Sequence, residues 1–308
     1  MLIAQRGAAQ PAPKPAFTVV PLGVRGGLDE SNLSAYLVAP VGSTAYVCLD
    51  AGSLRTGLEK ALASKALTGA SPDAVLKQQV KAYLLSHAHL DHVAGLLLSA
   101  PDDAPKPIYG LGNCLQTLQN DYFNWRAWPN FGNAGTAPLG KYQLLPIAPG
   151  QSLGVVGTML QAQAFPLSHG PGYESAAFLL QSGGSYLLYL GDTGADELEH
   201  SQYLRELWQA VAPLVQAGQL RGIFIEASYP NEQPETQLFG HLTPRRLMQE
   251  LGALGQLAGP EALRRVPIVI THRKPPASQE AAIARQLAEN NKLGLKLVYP
   301  VQGQRLAL

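Results

Sequence analysis

Short apolar runs separated by Gly- and Pro-containing turns recur along most of this chain. Runs of four to eight apolar residues are typical of buried strands. They predict strands at 17–23, 34–39, 44–50, 80–85, 159–167, 176–181, 185–190, 222–226, 266–271 and 295–301. Apolar residues at helical spacing predict helices at 54–67, 91–101, 203–216, 243–257 and 278–290.

The order of these elements predicts the architecture. Strands dominate the first half, and helices alternate with the later strands, so two packed sheets with helices outside would bury the apolar strands. We therefore expect an α/β (α+β) fold. Of the 308 residues, 46% are apolar, and no repeat or composition boundary divides the chain. One domain is expected over residues 17–308, after a flexible leader, rich in Ala, Pro and Gln, at 1–16.

Residues 102–150 are rich in Pro, Gly and aromatic side chains. A compact domain rarely contains so long a segment of this kind without a function. We expect an excursion from the domain, with a helix near 111–125 and a loop that shapes the active-site entrance. Its aromatic surface is compatible with a homodimer.

Charge and composition exclude several classes of partner. The net charge is +1 and no long run of Lys or Arg is present, which argues against long nucleic acid as the partner. No apolar run approaches the 18 residues of a membrane span. Cys48 and Cys114 form no C-x-x-C pair, which argues against a thiolate metal site or a disulfide framework. The start lacks the apolar core of a secretory signal; its Ala/Pro-rich composition favours a mature periplasmic protein over a cytoplasmic one.

The run from Ser86 to His92 carries the strongest chemical signal. In an extended segment His87 and His89 point the same way and can hold one ion, whereas Asp91 and His92 enter a helix and diverge towards a second. Imidazole and carboxylate ligands suit zinc, manganese or iron. A surface loop with three chance histidines is the weaker interpretation.

Four ligands cannot complete two metal sites, so the missing ones are expected at later strand ends. His169, Asp192 and His272 each follow an apolar run. A single His in such a place is more often structural, but together the three complete a set of seven ligands. The Asp192 carboxylate is able to bridge two cations. Asp50, which closes an early strand, is expected to support the ligands from behind or to serve only in a turn.

The order H-x-H-x-D-H, then His, Asp and His, resembles that of the metallo-β-lactamase fold. More narrowly, the run from His87 to Leu96 is similar to the signature of class II 3′,5′-cyclic-nucleotide phosphodiesterases. Further stretches resemble that family at 49–52, 128–131, 190–192, 225–231, 240–242 and 271–275. The family's Ser-Pro is replaced here by Ser99-Ala100-Pro101, a minor departure.

The resemblance implies an αββα sandwich with two divalent metal ions, foremost Zn²⁺ with Mn²⁺ or Fe²⁺ as alternatives, at the edge of the two sheets. It implies the following ligands: His87, His89 and His169 on one ion, Asp91, His92 and His272 on the other, and Asp192 bridging. The implied activity is hydrolysis of cyclic AMP, or of cyclic GMP, to the 5′-nucleoside monophosphate. A metal-bound hydroxide, ligated and oriented by Asp91, would attack the phosphorus.

The departing ribose oxygen needs a proton, and His241 is the predicted donor. It precedes a predicted helix, is not needed as a ligand, and occupies the position of the apparent donor in related nucleases of this fold. Glu226, at a strand end, is predicted to keep the imidazole charged. Alternatively, His241 is a surface residue that caps the helix, and Glu226 is a structural hydrogen-bond acceptor.

Substrate contacts are predicted at Trp128, Asn130 and Lys274. The aromatic segment around Trp128 would stack on a purine, and Lys274 would meet the phosphate. Alternatively, the aromatic segment is a hydrophobic plug, and Lys274 is a solvated charge in a loop.

Other functions stay open at this point. A β-lactamase of this fold usually has Cys where Asp192 stands, but a lactonase shares all seven ligands. A tRNA 3′-end endonuclease shares the His241 motif and should also carry a basic arm, which is not evident. A metal-binding module without catalysis would have no use for His241.

Overall fold

The structure, a computed structural model, describes residues 14–308. The predicted leader therefore lies mostly outside the described residues. At its end, Ala16 already belongs to the fold, because its N–H donates to Leu308 O and its carbonyl accepts from Val41 N.

Two seven-stranded sheets form the body of the domain. The strands are β1 (Phe17–Gly23), β2 (Ala35–Pro40), β3 (Tyr46–Leu49), β4 (Val80–Leu84), β5 (Lys106–Gly110), β6 (Tyr142–Pro146), β7 (Ser152–Gly154), β8 (Gln161–Ser168), β9 (Glu174–Ser182), β10 (Ser185–Leu190), β11 (Leu220–Glu226), β12 (Ile268–Thr271), β13 (Leu297–Val298) and β14 (Leu306–Ala307). The first sheet has the order β14-β1-β2-β3-β4-β5-β6 and the second β13-β12-β11-β10-β9-β8-β7. Each sheet is antiparallel at one side and parallel at the other, from β3 to β6 and from β10 to β13.

Helices cover the outer face of each sheet. They are α1 (Arg55–Ala63), α2 (Pro72–Gln78), α3 (Leu90–Ser99), α4 (Gly112–Thr117), α5 (Asp196–Glu199), α6 (Tyr203–Gln216), α7 (Pro244–Ala258), α8 (Pro260–Leu263) and α9 (Ala277–Asn290), with a π-helical turn at Leu118–Tyr122 and a 3₁₀ turn at Glu235–Gln237. Local sequence explains where α7 begins: the Thr243 hydroxyl accepts from Arg246 N, and Pro244 occupies the first helical position. Within residues 14–308, no helix combines the length and apolar character that a membrane crossing requires.

Both faces of the central strands are buried, which explains their continuous apolar sequence. In β1, Val19 belongs to the core between the sheets, whereas Val20 and Leu22 pack under the helices of the first sheet. A third core lies between the second sheet and its helices. The predicted αββα sandwich is therefore confirmed.

The excursion differs from its prediction. Its helix is present at 112–122, but β5 and β6 extend the first sheet on either side of it, so the segment is not mainly a loop. Lys106 and Pro107 interrupt the apolar pattern of β5 and concealed this strand. Lys106 is nevertheless buried, because its ammonium pairs with Asp103 at 2.7 Å.

Smaller differences concern short elements. Helix α2 and strands β7 and β14 were not predicted, the helix expected at 54–67 ends at Ala63, and the strand expected at 295–301 contracts to Leu297–Val298. Two- and three-residue strands are too short to show a hydrophobic period.

Candidate active site

The site is formed at one edge of the two sheets, where several strands end. His87 and His89 follow β4, His169 follows β8, Asp192 follows β10, and His272 follows β12. Parallel strands present their carboxyl ends at the same edge, so residues far apart in sequence meet there.

Two groups of side chains have ligand atoms within 4.8 Å of one another. One group contains His87, His89 and His169; the other contains Asp91, His92, Asp192 and His272. Asp192 Oδ2 lies 3.1 Å from His272 Nε2 and 3.8 Å from His169 Nε2, so this carboxylate faces both groups. The structure thus brings all seven sequence-predicted ligands together in the predicted division.

Hydrogen bonds at Nδ1 orient four of the histidines. The partners are Ser86 Oγ for His87 at 3.0 Å, Asp50 Oδ2 for His92 at 2.8 Å, Gly240 O for His169 at 2.8 Å, and Ser228 Oγ for His272 at 2.9 Å. Because Nδ1–H donates to these oxygens, each Nε2 keeps a lone pair directed at the centre.

The two serines are acceptors because their own protons are used elsewhere. Ser86 Oγ donates to Asp50 Oδ2 at 2.8 Å, and Ser228 Oγ donates to Glu226 Oε2. Neither serine was predicted from the sequence to have a role. Ser86 directly precedes the histidine run, and Ser228 follows Glu226 by two residues, so adjacency to a candidate residue was the available signal.

The histidine-rich group fits a metal ion. His87 Nε2 is buried and has no hydrogen-bond partner, an arrangement that is costly for an uncoordinated nitrogen. Burial lowers the pKa of His87 well below its ordinary value, lowers the pKa of His89, and lowers the pKa of His169 to about 4. These imidazoles are therefore neutral, as metal ligands must be.

The carboxylate-rich group fits a cation for a different reason. His92 Nε2 and His272 Nε2 are 3.2 Å apart, and two lone pairs at that separation repel unless a proton or metal ion lies between them. Burial opposes a charge on His92, yet the carboxylates of Asp192, Asp50 and Asp91 raise its pKa well above the ordinary value. This concentration of negative charge suits a divalent cation.

Asp50 lies behind the ligands, where the sequence suggested support. Its carboxylate is buried and accepts from Ser86 N at 2.7 Å, His92 Nδ1 at 2.8 Å and Tyr189 OH at 2.6 Å. Its φ is +52°, a left-handed conformation that costs a non-glycine residue free energy. The tyrosine comes from β10, so Asp50 connects both sheets to the predicted metal ligands.

His241 and Glu226 form a buried pair beside the two groups. His241 Nδ1 lies 2.9 Å from Glu226 Oε1 and 3.8 Å from Asp192 Oδ2. Burial disfavours a charge on the imidazole, but the Glu226 carboxylate outweighs it and raises the pKa of His241. Burial would likewise raise the pKa of Glu226, whereas the neighbouring imidazole holds it below its ordinary value.

Glu226 also joins a third close group, with Asp192, His241 and His272. Its oxygens already accept from four protein groups: His241 Nδ1, Thr193 N, Leu242 N and Ser228 Oγ. With its lone pairs occupied in this way, Glu226 is an anchor for His241 rather than a free ligand.

The predicted substrate contacts lie in two different settings. Lys274 is at the site, with its ammonium 3.4 Å from Tyr229 OH, and the Tyr229 ring is 5.7 Å from that of His241. Trp128 packs against the core of the first sheet. Asn130 is fully buried and bonds its own loop, donating to Ala134 O and Thr136 O. These contacts give Trp128 and Asn130 a structural role, and their contact with substrate stays a prediction.

Two further residues at the ligands had no signal in the sequence. Tyr173 stacks on His89, with ring centroids 4.6 Å apart and planes 10° from parallel. Glu199 Oε2 accepts from Ser168 Oγ at 3.0 Å and from Gly170 N at 2.8 Å, and so holds the chain on both sides of His169. Tyr173 lies in the turn between β8 and β9, and Glu199 lies at the end of α5. Only the fold brings these two segments close to the site.

Comparison with known proteins adds an independent line of evidence. A family model described as cAMP phosphodiesterases class-II matches residues 16–303. The 3′,5′-cyclic-nucleotide phosphodiesterase of Aliivibrio fischeri is 42% identical over 307 residues, 94% of this chain and 92% of that protein.

Solved structures show the same fold. Unliganded yeast PDE1 has a TM-score of 0.85 at 22% identity and covers 96% of this chain and 100% of its own. The metallo-β-lactamase fold protein YhfI from Bacillus subtilis has a TM-score of 0.61 at 15% identity, covering 96% and 99%. The metallo-β-lactamase-type architecture that the sequence predicted is therefore confirmed.

Proposed function

The chain belongs to the family of class-II cAMP phosphodiesterases, and from this membership we propose that its site hydrolyses the 3′,5′-cyclic phosphodiester of cyclic AMP to 5′-AMP. Cyclic GMP is the second candidate substrate. The resemblance stated from the sequence is confirmed, and this membership disfavours the lactonase and tRNA endonuclease alternatives. The observation that carries the proposal is the assembled set of seven ligands with the His241–Glu226 pair beside it.

The metal sites follow from the two groups of ligand atoms. His87, His89 and His169 would hold one cation, Asp91, His92 and His272 the other, and Asp192 would contact both. When bound, two divalent cations stabilise charge on the phosphate and lower the pKa of a coordinated water to about 7. We propose Zn²⁺, whose ligands in proteins include imidazole and carboxylate; Mn²⁺ and Fe²⁺ bind the same ligands and are the alternatives.

His241 would protonate the departing oxygen. Cleavage of the bond between phosphorus and ribose O3′ leaves an alkoxide that needs a proton. The Glu226 carboxylate accepts a hydrogen bond from His241 Nδ1 and favours the protonated imidazole. The Nε2–H of His241 is then available to the substrate. The His241 ring stacks on that of His272 at 5.2 Å, so the proton is held next to a metal ligand.

Two further side chains would act on the reacting groups. The Asp91 carboxylate is fixed by Gly27 N at 2.9 Å and would orient the attacking water as a hydrogen-bond acceptor. The Lys274 ammonium lies against the Tyr229 ring, 5.0 Å from its centroid, at the same rim as His241, and would meet a phosphate oxygen.

The deciding experiment compares cyclic AMP, cyclic GMP and a homoserine lactone with the zinc-loaded protein. We expect 5′-AMP from cyclic AMP and no opening of the lactone. Lactone opening with both cyclic nucleotides left intact would show that the proposed activity is wrong. Metal content gives a second measurement: two zinc ions per chain are expected, with fewer in His87→Ala.

A further inference from the structure

Phe239 occupies an unfavourable position in a tight turn beside the metal ligands. His241 N donates to Leu238 O at 3.2 Å, and φ is +53° at Phe239 and +74° at Gly240. Positive φ at both central residues is the pattern of a type I′ turn, whose first central position favours Asn, Asp or Gly. A bulky aromatic residue there costs conformational free energy.

The contacts of the turn explain Gly240 but not Phe239. A Cβ on Gly240 would lie 2.3 Å from Gly170 N, so only glycine allows this close approach to the His169 loop. Phe239, by contrast, is 67% exposed. Neither burial nor turn preference accounts for an aromatic residue at this position, and strain of this kind concentrates at functional sites.

The turn places Phe239 at the rim of the centre. Gly240 O accepts from His169 Nδ1 at 2.8 Å, and His241 is the next residue. Gly240, the neighbour of Phe239, therefore contacts a predicted metal ligand, and the predicted proton donor His241 follows Phe239 by two residues.

Three other aromatic rings that could contact a base are already packed against protein groups. Tyr173 stacks on His89, and the Lys274 ammonium lies over the ring of Tyr229. Trp128, for which the sequence suggested either base stacking or a hydrophobic plug, packs against the core of the first sheet. Phe239 is more exposed than these three rings, which are all partly buried.

We propose that Phe239 stacks on the nucleobase while the cyclic phosphate is at the metal centre. The inference rests on the proposed phosphodiesterase activity. Because every base has a π face, such a platform holds either purine without reading its edge. Stacking is equal in the ground and transition states, so it lowers KM and leaves kcat unchanged.

The test measures KM and kcat of Phe239→Ala, Phe239→Asn and Phe239→Trp on cyclic AMP and on a base-free ribose 3′,5′-cyclic phosphate. The Ala and Asn variants should raise KM for cyclic AMP about 5- to 150-fold with kcat nearly unchanged, and Trp should restore it. KM for the base-free substrate should not move. Phe239→Asn should also raise Tm by about 1–2 °C, because Asn tolerates positive φ.

Met159→Ala is the matched control. Met159 is 71% exposed and precedes β8, and His169 follows the other end of that strand. At about 3.3 Å per strand residue, Met159 lies roughly 25 Å from the ligands. It should leave KM unchanged for both substrates. Equal KM shifts on both substrates in the Phe239 variants, or none on cyclic AMP, would overturn the stacking role alone. A wild-type protein inactive on both cyclic nucleotides would overturn the proposed function as well.

Discussion

Two buried polar clusters among residues 14–308 differ in whether their groups satisfy one another. In the first, the Asp103 carboxylate accepts from Tyr83 OH at 2.7 Å and Tyr142 OH at 2.9 Å and pairs with Lys106 Nζ at 2.7 Å. Lys106 Nζ also donates to Leu76 O at 2.8 Å. Burial raises the pKa of both tyrosines, which therefore stay hydrogen-bond donors.

The candidate metal centre is the contrasting cluster. Its outer hydrogen bonds are satisfied, but its inner atoms are not: His87 Nε2 has no partner, and His89 Nδ1 and His169 Nε2 are 3.2 Å apart. A buried cluster that satisfies itself stabilises a fold, whereas one whose lone pairs converge is suited to a ligand.

Removing divalent cations should have the largest effect. Chelation should lower cyclic AMP hydrolysis by at least about 10³-fold, because several kcal/mol of charge stabilisation is lost. Adding zinc back should restore it. Full activity in a preparation shown by elemental analysis to contain no metal would contradict the proposed centre.

His241→Ala should lower kcat by about 10²–10⁴-fold while both metal ions remain bound. The reason is loss of the proton donor, since His241 belongs to neither predicted ligand group of the two cations. Steady-state kinetics combined with metal analysis separates the two effects. An unchanged kcat would remove the proposed role, and Glu226→Gln should lower kcat less than His241→Ala does.

Asp103→Ala should test the self-satisfied cluster. It leaves the buried Lys106 ammonium without its partner, so the free energy of unfolding should fall by about 3–5 kcal/mol. Urea unfolding measures the loss, and Asp103→Asn, which keeps the shape of the side chain, should lose less. The kcat of the folded variant should equal that of wild type; a large fall in kcat would show that the two clusters are coupled.

Ser228→Ala should have the smallest effect, because Ser228 contacts a predicted ligand but is not itself one. It removes the acceptor that orients His272, and loss of such a partner weakens metal affinity by about 10–100-fold. Competition with a zinc chelator measures this. Ser201→Ala, which removes a hydroxyl bound to Asp196 away from the ligands, is the control and should bind zinc as wild type does.

Much of the fold was predictable from the sequence because its signals are local. Strand β1 and helix α6 have the predicted limits, since a strand buried on both faces is a continuous apolar run and an amphipathic helix shows its period. Strands β5 and β6 were missed because β5 contains a buried lysine and a proline, and β6 is a largely exposed edge strand.

The sequence by itself determined the ligand chemistry. His87 to His92 lie within the short segment that leads from a strand into a helix. Over so short a segment the backbone geometry alone decides which side chains can converge. His169, Asp192 and His272 could be predicted as further ligands because each follows a strand, and strand ends at one sheet edge meet.

Only the tertiary structure decided what orients those ligands. The Nδ1 partners of His92, His272 and His169 lie 42, 44 and 71 residues away in sequence, at Asp50, Ser228 and Gly240. The same holds for Phe239, whose exposure and positive φ appear only when the turn packs against the His169 loop. Hydrophobic periodicity records which face of an element is buried, but the order of strands in the sheets decides which loops touch.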